Sequence, residues 1–252
     1  MYLGEWREIA RRLPTLLAEA ADRGDRLAEA NLGTRLSYVL LLAGDDAERA
    51  RELCREGLVR WSQQGFHTQH YYDFVRQGEI ALYAQSPHAA WEIVAERWGA
   101  LSHSLILRIQ TFRIEALHLR GRIALAAATS TDPTPGADAA QLLRAARRSV
   151  NRLANERTTW ARAFSQLIHA GLCASHGRQT DAARALVSAE ADFESSDMAL
   201  YVSVTRRCRG LLVGGNEGRM VVDAADERMR SQGIKNPERI TMMLAPGRWL
   251  QS

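Results

Sequence analysis

Apolar residues recur at spacings of three and four along almost the whole chain, the stripe of an amphipathic helix. In EWREIARRLPTLLAEAADRGD, Trp6, Ile9, Leu13, Leu16, Leu17 and Ala20 share one face before Arg23, Gly24 and Asp25 supply a stop and a new start. RLAEANLGTRLSYVLLLA predicts a second helix ending at Gly44, where a residue tolerant of positive φ is expected. Asp45 or Asp46 then opens a third, AERARELCREGLVRWSQQ, which ends near Gly65. HTQHYYDFVRQGEIALYA is a fourth, and Ser86 with Pro87 begins a fifth, HAAWEIVAERW. A long sixth, LILRIQTFRIEALHLRGRIALAAA, runs into a loop over 129–138, which reads as an insertion. Five more amphipathic stretches follow, and a capping helix near 236–247 closes the series. No segment alternates apolar and polar residues between turn signals as a strand requires.

The turns repeat. Gly4 in GEWREIA, Gly44 in GDDAERA and Ala84 in AQSPHAA lie 40 residues apart, and Gly177 in GRQTDAA returns in phase once the inserted loop is counted. In each, an alanine falls six residues on, at Ala10, Ala50, Ala90 and Ala183. A small turn residue lets the chain reverse, and an alanine one turn into the next helix lets two backbones approach. Units of this kind bury their apolar faces only by stacking on neighbours. The expectation is an all-α array of antiparallel two-helix repeats of about 40 residues, one domain over 1–252.

GDDAERARE, GEWREIARR and GRQTDAARA resemble the tetratricopeptide repeat family, in the longer-helix form found in large bacterial signalling and transcription regulators. That likeness implies a right-handed superhelix whose first-type helices line a concave groove. The period here is near 40 rather than 34, and GDDAERA carries one more residue than the family's usual turn. The segments SYVLLLAGDDAERARELCREGLVRWSQQGFHTQHYYDF and GIKNPERITMMLAPG look like the C-terminal repeats of bacterial proteins in which a serine/threonine kinase domain and an ATPase module come first. The resemblance implies a signalling context, with those domains or another protein as partner. In the family's order residues 5–22 are a second helix, so the pair would begin before Met1 and the chain would be part of a longer protein.

Charge and chemistry alter this picture little. Lys235 is the only lysine among 33 basic residues, set against 29 acidic ones, and the arginines mostly alternate with glutamates. A nucleic-acid surface would concentrate them beside reading aromatics, so nucleic acid is not the expected partner. Cys54, Cys173 and Cys208 are odd in number and far apart, a reduced cytoplasmic pattern without a zinc spacing. No apolar run reaches the length of a membrane span, and no leader-like segment opens the chain.

Asp45 and Asp46 read either as a cation pair or as a helix start; equivalent turns with other polar residues favour the helix start. His67, His70 and Asp73 share one helix face at metal-compatible spacing, though such histidines more often pack beside aromatics. Cys54 reads as a core residue, and His118, His169 and His176 have no recognisable nucleophile beside them. Neither a phosphate loop nor kinase motifs occur. No catalytic, cofactor or metal residues are therefore assigned. Candidates for lining a partner groove are Tyr38, Tyr71, Tyr72, Arg108, Arg113, His118, Trp160 and Tyr201 on first-type helices, where aromatics and arginines favour recognition. The expected function is a non-catalytic interaction or regulatory module that docks a peptide, a partner helix or a neighbouring domain. The alternative is a ligand- or peptide-sensing array that switches an attached effector.

Overall fold

A computed structural model describes residues 5–25, 28, 32–33, 36–58, 66–132, 134 and 136–250, with only the backbone of 55–58. The turn at Gly4, most of the second expected helix before Ser37 and the third helix's end near Gly65 lie outside the described residues. Among those described, no strand occurs. The helices are α1 (Trp6–Asp22), α2 (Ser37–Ala43), α3 (Ala47–Leu58), α4 (Thr68–Tyr83), α5 (Pro87–His103), α6 (Gln110–Thr129), α7 (Ala139–Ala154), α8 (Thr159–Ser175), α9 (Gln179–Ser195), α10 (Ala199–Val213), α11 (Gly215–Ser231) and α12 (Pro237–Leu244), with a 3-10 turn at Leu105–Arg108.

Consecutive helices pack on one another, and α6 also touches α4 and α8, so hairpins stack into one layer of inner helices. The inner helices carry the core. On α6, nearly every side chain from Ile114 to Leu125 is buried, whereas α7 and α9 bury only one stripe each. That asymmetry follows from the sequence: RIEALHLRGRIALAAA is apolar on most faces, and a helix apolar all round must be surrounded. Close crossings need glycine. A Cβ at Gly210 on α10 would sit 2.7 Å from the Gly218 carbonyl oxygen on α11, so only bare backbone allows that approach.

At two of the turns the left-handed residue falls one position beyond the small residue. Gly44 is right-handed at φ −72°, and Asp45 takes the left-handed position at φ 62°. Asp46 N then donates to Leu41 O at 2.9 Å and Asp45 N to Leu42 O at 3.1 Å, closing the end of α2. The same pair of bonds closes α4, with Gln85 at φ 56°, and α8 ends similarly with Gly177 at φ 72°. Five residues after each left-handed residue stands a fully buried alanine, Ala50, Ala90 or Ala182. Ala183, expected in that role, is only half-buried, and Ala10 is exposed. The extra residue in GDDAERA puts the left-handed position after the glycine, which explains the slip.

A non-glycine residue in the left-handed region costs roughly 1–2 kcal/mol. Gln85→Gly is accordingly expected to raise stability by about 1 kcal/mol, read as a higher urea midpoint at unchanged slope.

Candidate functional site

The inner face is covered. After α11 the chain turns at Gly233 (φ 88°), and residues 234–249 run as a strap across the inner helices. Ile240, Met243 and Leu244 are fully buried, and Ile234, Ala245 and Trp249 nearly so. The expected capping helix exists as α12, but it lies on the inner surface with an apolar face turned inward.

Each part of the strap has a partner. Lys235 N donates to Ala43 O at 2.8 Å, at the end of α2. Asp45, one of the two acids weighed as a cation site, accepts from Tyr83 Oη at 2.6 Å, Arg239 Nη1 at 3.1 Å and Asn236 Nδ2 at 3.3 Å. Its carboxyl is held below the usual aspartate range, first by the Tyr83 bond, then by those to Asn236 and Arg239. The helix start falls to Asp46, whose Oδ1 accepts from Arg49 N at 3.0 Å. Met243 O accepts from Arg122 Nη1 at 3.0 Å. Beyond α12, a Cβ on Gly171 of α8 would lie 2.5 Å from Pro246 O, so glycine is required where the strap crosses.

Beneath the strap lies a buried polar centre. Arg122, 2% exposed, donates through Nη2 to Glu79 Oε1 at 2.9 Å, and Tyr38 Oη donates to Glu79 Oε2 at 2.9 Å. Burial, then the charge of Glu79, pushes the Tyr38 phenol well above its ordinary value. Asp73, also buried, accepts from Arg76 at 3.1 Å and Gln77 at 2.7 Å and is paired with Arg97. It is thereby engaged away from His67 and His70: His67 N donates to His70 Nδ1 at 3.0 Å, and among the described residues no group of three possible ligands assembles.

Most of the eight groove candidates belong to the interior or are already engaged. Tyr38, Tyr71, His118 and Tyr201 are each at most 3% exposed, so they pack the core instead of presenting a surface. Tyr71 Oη donates to Glu115 Oε2 at 2.8 Å with Phe112 O as the alternative acceptor at 3.1 Å, and half-buried Tyr72 sets its edge against Phe112. His118 stacks on Phe164 at 3.7 Å with planes 9° apart, and Tyr201 and half-buried Trp160 meet the same ring at 5.0 and 5.7 Å. Arg113 grips Glu156 by two bonds of 2.6 Å. Arg108 alone of the eight is exposed, on the 3-10 turn before α6. The physical reason is curvature and cover: the inner helices close on one another, and the strap fills what remains.

Residues the pattern did not single out hold this centre: Phe164, Glu79, Arg122 and Arg239. The available signal was a charged residue inside an otherwise apolar helix, as in QGEIALY and HLRGRIAL. Buried charge there demands a partner.

His118 carries a pH dependence. Burial and then the Arg122 charge hold its pKa well below 6.5, so it is neutral when folded, and its Nε2 has no hydrogen-bond partner among the described residues. The unfolded state binds the extra proton below about pH 6.5, so this stability is present above that value and is lost as pH falls below it. In His118→Phe, the stability difference between about pH 5 and about pH 7.5 should shrink, measured by urea unfolding at both.

No protein-family model, curated protein or solved structure matches the chain at a significant level. The architecture is therefore assigned from its own geometry: all-α, rich in packed helix pairs, repeat-like. No described helix is long and apolar enough to cross a membrane.

Proposed function

We propose that the chain is a protein-interaction module whose inner face recognises a helix. The observation that carries this is the strap: the inner face already holds an eight-residue helix, with pockets for Ile240, Met243 and Leu244, a donor for the Met243 carbonyl and a carboxylate for Arg239. A partner helix with this signature would take the same place, the mode in which an amphipathic helix lays its apolar face into a groove. Its affinity in trans would be reduced by competition with the tethered strap.

The finer reading is a right-handed, tetratricopeptide-like superhelix forming one domain over 1–252. It would work without catalysis inside a larger cytoplasmic bacterial signalling protein, with an attached kinase or ATPase module or a separate protein as partner. Support comes from the repeating left-handed turn followed by a buried alanine, and from the pairing of the inner titratable groups to one another. The three cysteines are buried, with burial raising each thiol, so none is prepared as a nucleophile.

The test uses a full-length double variant, Arg239→Ala with Leu244→Ala, in which the strap is weakened and the trough intact. A labelled peptide of residues 234–250 is expected to bind this variant and not the parent. Binding to neither, or equal binding of a peptide carrying Met243→Asp, would exclude a helix site on the inner face.

A further inference from the structure

Helix α7 breaks the charge pattern of the chain. Its sixteen residues hold Arg144, Arg147, Arg148 and Arg152 and no acid. None of the four forms an ion pair among the described residues, whereas Arg113, Arg162, Arg206 and Arg207 each hold a carboxylate within 2.8 Å. Burial, then the charges of Arg148 and Arg152, lowers the pKa of neighbouring Arg120. Arg152 is partly offset by Glu156, whose carboxyl it helps hold down, which leaves Arg144, Arg147 and Arg148 as an exposed basic ridge that attracts anions.

Beside this ridge, α7, α8 and the start of α9 enclose a cleft of about 480 Å³, within the usual range for small-molecule sites. Val150 and buried Leu172 give it an apolar floor, and Arg147, Arg178, His169 and His176 supply its polar wall. Among the described residues no acid lines it. The carboxylate of Asp181 sits 3.8 Å from Arg178 and 3.6 Å from Arg184, at ion-pair range without a hydrogen bond, while the Arg178 guanidinium lines the cleft beside the Cys173 thiol, which it also contacts. His169 Nε2 lies 3.5 Å from Cys173 Sγ, but burial raises that thiol, so the pair is not a nucleophile with its base.

We infer that this cleft binds a small amphiphilic anion, a phosphate- or carboxylate-bearing molecule whose apolar body rests on Val150 and Leu172. Arginine forks pair with either head group through two parallel bonds. Burial and then Arg178 hold His169 toward its neutral form, and an incoming anion would favour its protonation. A nucleic-acid strand is the weaker fit, because the cleft is a local pocket between α7, α8 and the start of α9, and among the described residues no Phe, Tyr or Trp lines it for base stacking. The inference is independent of the inner-face reading and makes the array a ligand sensor as well as a scaffold.

The experiment titrates the full-length protein with phenyl phosphate, benzoate, inorganic phosphate and neutral benzyl alcohol, following the His169 and His176 imidazole signals by NMR. Saturating shifts are expected for at least one aryl anion, with weaker binding of inorganic phosphate and none of benzyl alcohol. The ratio of phenyl phosphate to benzoate affinity assigns the head group. Arg147→Glu and Arg178→Glu alter exposed side chains, so the melting midpoint should hold while affinity falls about tenfold or more, roughly 1.4 kcal/mol. Shifts that never saturate with either aryl anion, equal affinity in both variants, or preference for a double-stranded oligonucleotide would each overturn the site.

Discussion

Arg122→Met is expected to cost about 3–5 kcal/mol of folding stability, the penalty for leaving one member of a buried ion pair alone. The guanidinium makes two kinds of bond at once: to Glu79, itself 3% exposed, and to the Met243 carbonyl of the strap. Methionine fills much of the volume and supplies neither donor. Among the described residues Glu79 then keeps only the Tyr38 hydroxyl, so the folded state holds a charge with inadequate solvation. Adding Glu79→Gln to Arg122→Met should recover a substantial part of the loss, since the buried charge goes with its partner. Urea unfolding of the two single variants and the double variant gives the coupling energy directly. Losses that simply add would mean the pair does not act as a unit.

Much of this architecture was legible in the sequence because helical periodicity is a local signal. The spacing of Trp6, Leu13 and Ala20 appears in α1 as its three buried positions, and Ser86 followed by Pro87 starts α5 where expected. The turn register was less legible. Glycine is the usual left-handed residue, so the sequence points to Gly44, while hydrogen bonding at the end of α2 places Asp45 there. The candidate site was hardest to read. Whether Tyr71 or Tyr201 faces solvent depends on what covers the inner helices, and much of that cover stands far along the chain, Phe112 and Glu115 for Tyr71, His118 and Phe164 for Tyr201. Asp45 shows the limit plainly: its turn position is local, but its partners Arg239 and Asn236 stand almost at the other end of the chain. The acid-free run of α7 was open to inspection, yet only the cleft beside it gives those arginines a direction.

Ending the chain at Gly233 is expected to abolish the cooperative unfolding transition of the full-length protein. Ile240, Met243 and Leu244 are each fully buried, and trimming one such side chain to alanine costs about 2–5 kcal/mol. Their combined loss competes with the whole stability of an ordinary domain, about 5–15 kcal/mol. Truncation also removes the acceptor of Arg122 Nη1 and two of the three donors to Asp45. Local helix pairs such as α8 with α9 keep their own contacts, so far-ultraviolet helicity should fall less than near-ultraviolet tertiary signal, with binding of a hydrophobic dye. A peptide of residues 234–250 added in trans should restore the transition, because the inner face then regains the side chains that complete its core. If the truncated chain instead melts within a few degrees of the parent, the strap is an appendage over a core that is already complete. The inner face would then be an open trough, and the competition argued for a partner helix would disappear.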